Sequence, residues 1–443
     1  MSSAARAWAS LGLDRALLAL LHTSPVPLPS RLAVGELAAG SVGAASLAAQ
    51  LVLADRRGTR PGPVRLDGVR VAASFRGDRL LRIDGRPVQG FAPLSGFWPT
   101  ADGWVRTHGN YPHHAARLRD VLDLAADAGP DAVAAALTGG TAAELEERAA
   151  ERGALLVAVR EADAWRAHPQ ARELAGSPLV VREELGAAPA RGWTAGPQRP
   201  LDDVRVLDLT RVIAGPVAGR DLAIAGAQVL RVDPPVPAEI PWQHVDVDQD
   251  KRSAVLDLAQ RRPEFEELLA GADVVLLGYR PGALDRFGLS PRQLAERHPG
   301  IVVGRVSAWG ESGPWAHRRG FDSLVQAVSG IARMESADGR TPGALPAQAL
   351  DHATGHLLAA GVLAALRAQR SGGGTPGVAV SLARTAGALL DLPGGTAAPD
   401  AEPDWPLVHH GAVTCVPPVL AFDGAPADYT RVGTPWGADP ATW

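Results

Sequence analysis

The stretch DVRVLDLTRVIAGPVAGRDLAIAGAQVLRVDPP, residues 203–235, decides the fold of this chain. Its apolar run Val204–Leu209 predicts a buried strand, and a second such run follows at Gln228–Val232. Between them lie the turn Ala214-Gly215-Pro216 and a helical pattern. Because apolar runs go on alternating with helical patterns as far as residue 307, the sequence predicts an α/β domain with a doubly wound, Rossmann-like parallel sheet.

Further motifs follow this stretch in a fixed order. They are DKRSAVLDL (250–258), ADVVLLGYRPGALDRFGLS (272–290), IVVGRVSAWGESGPWAHRRGFDSLVQAVSGI (301–331) and ALPAQALDHATGHLLAAGVLAAL (344–366). From about residue 203 to residue 391, the pieces VLDLTRV-AGP, KRS--LDL, RPG-L-R-GL, S--G--GP and G-D---QA-SG resemble the family III CoA-transferases, the CaiB/BaiF group. The resemblance implies a Rossmann-like large domain, a smaller α/β domain and acyl-CoA substrates.

Asp351 opens the small-residue helix of the last motif. An aspartate at this position often only caps the helix backbone, and the helix N-terminus favours its anion. A carboxylate can also attack an activated acyl group and carry it covalently. Gly355 and the alanines after it leave room for a ligand or a neighbouring backbone. By resemblance, Asp351 lies where the family keeps its catalytic aspartate.

Binding of CoA requires backbone N–H groups, cations for the phosphates and apolar walls. The turn after the first strand is well placed to meet such a ligand, although it lacks a dinucleotide fingerprint. For each cation, a solvated surface charge is the competing interpretation. The candidate CoA-binding residues are Ile213, Ala214, Arg231, Lys251, Arg252, Tyr279 and Arg280.

The family's segments appear in a rearranged order. PTADGWVRTHG (99–109) and ELEERAAERGALLVAVREADAWRAHPQAR (144–172) resemble its later part, although they precede residue 203. When Glu36 is set on Asp351, an offset of 315, glycines and prolines of the two helices and their following turns coincide. The order and the offset predict a fusion or permutation of two copies, in which the acidic-helix module occurs twice. Two unrelated Ala-rich helices are the alternative.

The predicted organisation has five parts. They are an N-terminal helical region with the repeated module (1–84), a small α/β domain (85–150), a return segment and linker (151–202), the Rossmann-like CoA-binding domain (203–391) and an irregular C-terminal tail (392–443).

Composition is that of a globular enzyme. With 46% apolar residues and a net charge of −4, the 443-residue chain is not expected to bind nucleic acid. A single cysteine, Cys415, indicates a reducing cytoplasm. Asp14 and Arg15 interrupt the apolar residues 8–21, so an amphipathic helix is expected there rather than a signal or a membrane span.

The resemblance implies transfer of CoA from an acyl-CoA to a carboxylic acid through an aspartyl intermediate. It also implies an interlocked homodimer, CoA as a substrate and no permanently bound cofactor.

Two departures from the family's pattern bear on activity. The stretch GFAPLSGFWP (90–99) lacks the family's glycine run, and Phe321 stands where racemase relatives carry a histidine, which disfavours racemisation.

Another CoA-ester enzyme of the same fold, such as a racemase, an isomerase or a dehydratase, and a non-catalytic CoA-binding homologue remain the alternatives. His352 and His356 have the i,i+4 spacing of a metal pair, but no third ligand is evident in the sequence. We therefore expect them to pack or cap, and we expect no metal.

Overall fold

The computed structural model describes residues 2–194 and 196–443. Its α-helices are α1 (Ser3–Ser10), α2 (Val34–Arg57), α3 (Gly68–Phe75), α4 (Gly77–Leu80), α5 (Pro112–Val121), α6 (Pro130–Thr138), α7 (Ala142–Arg152), α8 (Ala162–Ala167), α9 (Pro169–Ala175), α10 (Ala214–Ile224), α11 (Pro241–Val247), α12 (Arg262–Ala270), α13 (Pro291–Arg297), α14 (Asp322–Ser329), α15 (Ile331–Met334), α16 (Ala349–Gly372) and α17 (Leu382–Leu390). Its strands are β1 (Leu21–Thr23), β2 (Val64–Leu66), β3 (Arg82–Ile83), β4 (Arg86–Pro87), β5 (Phe97–Pro99), β6 (Trp104–Thr107), β7 (Leu156–Ala158), β8 (Val181–Glu184), β9 (Arg205–Leu209), β10 (Gln228–Asp233), β11 (Arg252–Val255), β12 (Val274–Leu277), β13 (Val302–Ser307), β14 (Pro376–Ser381), β15 (Val408–His410) and β16 (Val413–Cys415). Short 3-10 helices lie at Arg15–Leu20 and Asp285–Phe287.

The large sheet has the order β11-β10-β9-β12-β13-β14-β8. Strands β9 to β14 are parallel to one another, and only β8 pairs antiparallel. Their order is that of a Rossmann sheet, which confirms the predicted α/β fold class. Ligands of such sheets bind where the strand order reverses, outside the carboxyl ends of the strands. Here that point lies between β9 and β12.

Helix α16 crosses the sheet and is buried along most of its length. It approaches α10 closely at Gly355, where a Cβ atom would lie only 2.4 Å from the carbonyl oxygen of Ala214. Glycine at this position therefore lets the two backbones meet. Helices α2 and α16 are long and apolar enough to span a membrane, but 94% and 100% of their apolar windows are buried inside the protein. Their hydropathy is that of core helices.

The smaller α/β domain consists of an antiparallel sheet, β5-β6-β7, packed with α5, α6 and α7. Val105 on β6 packs with Leu118, Val133 and Leu145 of the three helices. A capping box between Thr141 and Glu144 starts α7. The domain extends past the boundary expected at residue 150, because β7 pairs with β6 as the third strand of its sheet.

The N-terminal region contains a parallel β1-α2-β2 unit, followed by α3. In the large domain, α16 also lies between two parallel strands, β13 and β14, and is followed by α17, although α14 and α15 come between β13 and α16. Helices α2 and α16 begin and end at positions that differ by 315, and they pack against each other. Gly40 of α2 also adjoins α1, since a Cβ atom there would lie 2.4 Å from Ser3 Oγ. This contact parallels the one between α16 and α10.

The C-terminal tail is more regular than the sequence suggests. Strands β15 and β16 form a four-stranded sheet with β3 and β4, which come from the other end of the chain. The final residues then cover the edge of the large domain, where Trp443 Nε1 donates to the Leu268 carbonyl at 2.8 Å. Sequence patterns missed these strands because each is only three residues long and because β16 pairs with the distant strand β3.

Candidate active site

A cleft at the carboxyl edge of the large sheet contains Asp351, in the first turn of α16. Residues from the large domain, the small domain and the N-terminal region line it. They are Asp78, Gly90, Phe91, His108, Asn110, Val212, Ile213, Trp242, Gln243, Phe321, Asp322, Gln348 and Asp351. Asp351 is only 6% exposed, so its carboxyl group meets little solvent except through the cleft.

Asp322 is the nearest acidic neighbour of Asp351. Its Oδ2 accepts the backbone N–H of Asp351 at 2.9 Å, and Gln326 donates to its other oxygen. Burial, together with the charge of Asp322, raises the pKa of Asp351 well above its usual range. Burial also raises the pKa of Asp322, to about 6, although these hydrogen bonds and the nearby Arg106 favour its anion. Asp322 therefore ionises first, and its charge opposes ionisation of Asp351.

Strand β6 of the small domain and the residue directly after it bring two further polar groups to this region, Arg106 and His108. The His108 ring stacks on Phe321 with 3.9 Å between centroids and 11° between planes. The Arg106 guanidinium lies over the rings of Phe91 and Phe97, 4.9 and 4.7 Å from their centroids. Sequence reasoning did not assign either residue to the site. The only signal was their position directly after the TADGW motif.

The turn between β9 and α10 borders the cleft with a strained backbone. Val212 has a φ of 71°, a conformation that a β-branched residue rarely adopts. Its N–H donates to Glu239 Oε2 at 3.2 Å, which helps to hold this turn. The turn brings Ile213 into the cleft lining, and buried Ala214 starts α10. Backbone strain of this kind is common at functional sites.

Arg231 and Lys251, both candidate CoA contacts, are instead fully buried in an ion-pair network. The Arg231 guanidinium pairs with Asp233 at 2.8 Å and with Asp248 at 3.1 Å. The Lys251 ammonium pairs with Asp208 at 3.2 Å and with Asp248 at 3.0 Å. Both cations are thus neutralised inside the protein, where they join β9, β10 and the loop before β11.

Arg252 supports the tail. Its guanidinium donates to the carbonyl oxygens of Thr442 at 2.7 Å and Pro440 at 3.1 Å. Its head group is therefore already occupied at the far edge of the sheet, beside β11. This position gives it no direct access to the cleft that contains Asp351.

Tyr279 and Arg280 lie at the switch point, directly after β12. Arg280 is exposed and lines a second cavity with Arg319 and Trp315, between the small and large domains. Burial and the charges of Arg280 and Arg117 lower the pKa of Arg319 to about 10. Within the described residues, no carboxylate lies within ion-pair distance of these three arginines, and Arg280 instead donates to the His317 carbonyl oxygen at 3.0 Å. The cavity therefore carries an uncompensated positive charge.

His352 and His356 pack rather than face the cleft together. Both rings stack on Phe75, at 5.2 and 5.7 Å, and His356 Nδ1 lies 2.6 Å from Asp221 Oδ2. Among residues 2–194 and 196–443, no cluster of three or more potential ligands has the arrangement of a metal site. Glu36 is half-buried, and its Oε1 accepts the Ser3 N–H at 3.0 Å.

Residues 201–402 match the family described as CoA-transferase family III. A probable fatty acyl-CoA transferase of Mycobacterium tuberculosis, Rv3272, is 37% identical over 189 residues, which cover 39% of this chain and 48% of the relative. Succinyl-CoA–D-citramalate CoA-transferase of Chloroflexus aurantiacus is 36% identical over 196 residues, covering 40% of this chain and 48% of the relative. The crystal structure of Rv3272 covers 44% of this chain and 57% of its own, with 36% identity and a TM-score of 0.41.

The segment 201–402 thus matches CoA-transferase family III, in agreement with the family predicted from the ordered motifs. The chain spans about half the length of the curated relatives it matches.

Proposed function

We propose that this protein is a CoA-transferase, which moves CoA between an acyl-CoA thioester and a carboxylic acid with Asp351 as the nucleophile. The observation that carries the proposal is the position of one buried carboxyl group. Asp351 lies in a cleft beside the β9–α10 turn, within a segment whose relatives are named CoA-transferases. A carboxyl group in this position meets bound acyl groups with little competition from water.

The proposed reaction begins when the ionised Asp351 attacks the thioester carbonyl carbon. The C–S bond breaks, CoA leaves as a thiolate, and an aspartyl-acyl anhydride remains. The thiolate then attacks the aspartyl carbonyl, which releases the first carboxylic acid and leaves an aspartyl-CoA thioester. An acceptor carboxylate finally collects CoA by the same two steps in reverse. Because the pKa of Asp351 is raised, the reaction requires loss of its proton first.

The CoA moiety is proposed to bind along the switch point. Ile213 and Ala214 would present the turn and the start of α10, while Tyr279 and Arg280 would flank the ligand from β12. We add Arg319 to the predicted set, because its unpaired charge lies in the same cavity as Arg280. Arg231, Lys251 and Arg252 are not retained as phosphate contacts, since carboxylates or tail carbonyls already satisfy them.

An acid–base enzyme acting on CoA esters is the second candidate function. A specific observation favours it: the raised pKa of Asp351 keeps a proton available in the same cleft as the neutral ring of His108. Exchange of the substrate's α-hydrogen with deuterium from solvent, without exchange of CoA, would support this candidate. A non-catalytic CoA-binding protein would show neither exchange.

We also propose that the chain contains two copies of the acidic-helix module, in the rearranged order inferred from the sequence. The equal bounds of α2 and α16, after an offset of 315, support this proposal. Only Asp351 lies in the cleft lining, so Glu36 is proposed to be a supporting residue. A cytoplasmic location and a homodimer remain predictions.

Exchange of labelled CoA into an acyl-CoA pool tests the proposed function directly. Asp351→Asn should abolish exchange while leaving binding of the CoA ester within a few-fold, because the amide keeps the shape but cannot form the anhydride. Asp351→Glu should lose about 100-fold, since it displaces the carboxylate by about 1 Å. Glu36→Gln, the equivalent change in the other long helix, is the control and should retain activity. Full activity in Asp351→Asn would refute the proposal.

A further inference from the structure

The small domain places one imidazole in the Asp351 cleft to which the proposed reaction has so far given no role. His108 directly follows β6 and is only 6% exposed. Its ring lies parallel to Phe321, and Phe91 meets it edge-on at 6.4 Å. The residue after Phe321 is Asp322, which accepts the backbone N–H of Asp351. One short segment therefore positions both the imidazole and the nucleophile.

The His108 ring is neutral, and its buried Nδ1 atom lacks a hydrogen-bond partner among the described residues. Burial, with the charges of His114 and Arg106, lowers the pKa of the ring well below its usual range. A neutral imidazole offers one N–H donor and one lone pair. Leaving a buried polar group unsatisfied is unfavourable, and a hydrogen bond with a bound ligand would offset that cost.

The cleft also has a chemical requirement, a hydrogen-bond donor for the substrate carbonyl oxygen. Attack on a thioester places negative charge on the carbonyl oxygen, and a fixed donor is needed to stabilise it. The stretch contains only two glycines, Gly90 and Gly96. The N–H of Gly96 already donates to Thr107 Oγ1 at 3.3 Å, so it is engaged within the small domain. A side-chain donor in the lining of the Asp351 cleft would supply such an interaction.

Building on the proposed function, we infer that His108 is a catalytic residue, which donates its ring N–H to the acyl carbonyl oxygen during attack by Asp351. As the Asp351 oxygen bonds to the carbonyl carbon, the C=O π electrons move to the oxygen, and His108 stabilises that charge. When the C=O bond re-forms, the C–S bond breaks and CoA leaves as a thiolate. His108 keeps its proton throughout, so no further acid, base or oxidant is required.

His108→Phe tests the inference because it keeps a stacking ring but removes the donor. We expect kcat for exchange of labelled CoA to fall by about 10²–10³-fold, the usual effect of losing one oxyanion donor. KM should stay within a few-fold, because the donor acts in the transition state. His108→Gln, which keeps a neutral N–H donor, should retain more activity than His108→Phe. His113→Phe is the matched control, since His113 is a neighbouring histidine outside the cleft lining.

The rate at which the acyl adduct forms on the Asp351 peptide, monitored by mass spectrometry during a single turnover, gives a second measurement. This rate should be lower in His108→Phe, while the affinity for the CoA ester, measured by calorimetry, is unchanged. If circular dichroism shows that His108→Phe is unfolded, His108→Met replaces it as an apolar variant of similar size. Wild-type kcat in a folded variant, or a change in KM alone, would overturn the role of His108 and leave the proposed function intact. Absence of exchange in the wild-type protein would instead overturn the proposed function, and this inference with it.

Discussion

The ionisation of Asp351 depends on that of Asp322, because the two buried carboxyl groups share one environment. Asp322 has the better hydrogen bonds and ionises first, so Asp351 must ionise beside an existing negative charge. The rate of CoA transfer should therefore rise with pH along a limb that reports the pKa of Asp351.

Asp322→Asn tests this coupling. The amide removes the neighbouring charge, so the pKa of Asp351 should fall, while burial still holds it above its ordinary value. In a profile of kcat/KM against pH, the rising limb should move to lower pH. A limb that stays in place, or moves to higher pH, would contradict the electrostatic coupling. Gln326→Glu is a useful contrast, because a third carboxylate near Asp322 should move the limb the other way.

The arginines of the second cavity should act on binding rather than on chemistry. Arg280→Ala and Arg319→Ala should each weaken CoA binding by about 10–100-fold, the effect of losing a hydrogen bond to a charged group worth about 1.5–3 kcal/mol. Their kcat values should change little, since phosphate contacts persist from ground state to transition state. Arg292, exposed and paired with Glu296 at 3.2 Å, provides the control. Calorimetric titration with CoA measures the affinity of variants at all three arginines. An affinity of Arg319→Ala equal to that of the wild-type protein would remove this residue from the proposed site.

At the scale of elements, the contact between α10 and α16 sets the geometry of the cleft. A Cβ atom on Gly355 would lie 2.4 Å from the Ala214 carbonyl oxygen and 2.8 Å from Val217 Cβ. Gly355→Ala must push the helices apart, and overpacking of this kind destabilises a protein by about 1–3 kcal/mol. Because Ile213 precedes α10 and Asp351 opens α16, exchange activity should fall as well.

Gly372→Ala, at the other end of α16, is the matched control. No atom lies within 4 Å of the position its Cβ would take, and alanine favours the helix by up to about 1 kcal/mol over glycine. Denaturant unfolding should therefore show unchanged or slightly increased stability for Gly372→Ala and a clear loss for Gly355→Ala. Equal stability of the two variants would mean that α10 and α16 adapt to the added methyl group.

Periodic, local signals made the large sheet and the long acidic helix predictable. The strand at Val204–Leu209 and the helix that holds Asp351 both lie where the apolar patterns put them. The cleft was harder to predict, because His108 reaches it through the fold from another domain. Arg231 and Lys251 look like surface cations in sequence, yet both are buried and form ion pairs with the carboxylates of Asp248 and Asp208. Such pairings depend on tertiary neighbours that no local pattern contains.

At the scale of the whole molecule, segments that are distant in sequence pair in the same β-sheets. Strand β8 comes from the return segment and linker (151–202) and closes the edge of the large sheet, while β16 of the tail pairs with β3. Unfolding of the two ends should therefore be coupled to that of the large domain.

The homodimer predicted from the family resemblance is checked by light scattering, where a mass near that of one 46.0 kDa chain would refute it.

The two long helices lead to the last prediction, which concerns stoichiometry. Helices α2 and α16 each carry an acidic residue in the first turn, but their surroundings differ. The Glu36 carboxylate is held by the Ser3 backbone in the packing of α1 on α2, whereas Asp351 lines the open cleft. Incubation with an acyl-CoA donor should therefore give one covalent adduct per chain, located on the Asp351 peptide by mass spectrometry. Glu36→Gln should still give one adduct and Asp351→Asn none. Two adducts in the wild-type protein would mean that both copies of the module are active, and the assignment of Glu36 as a supporting residue would be wrong.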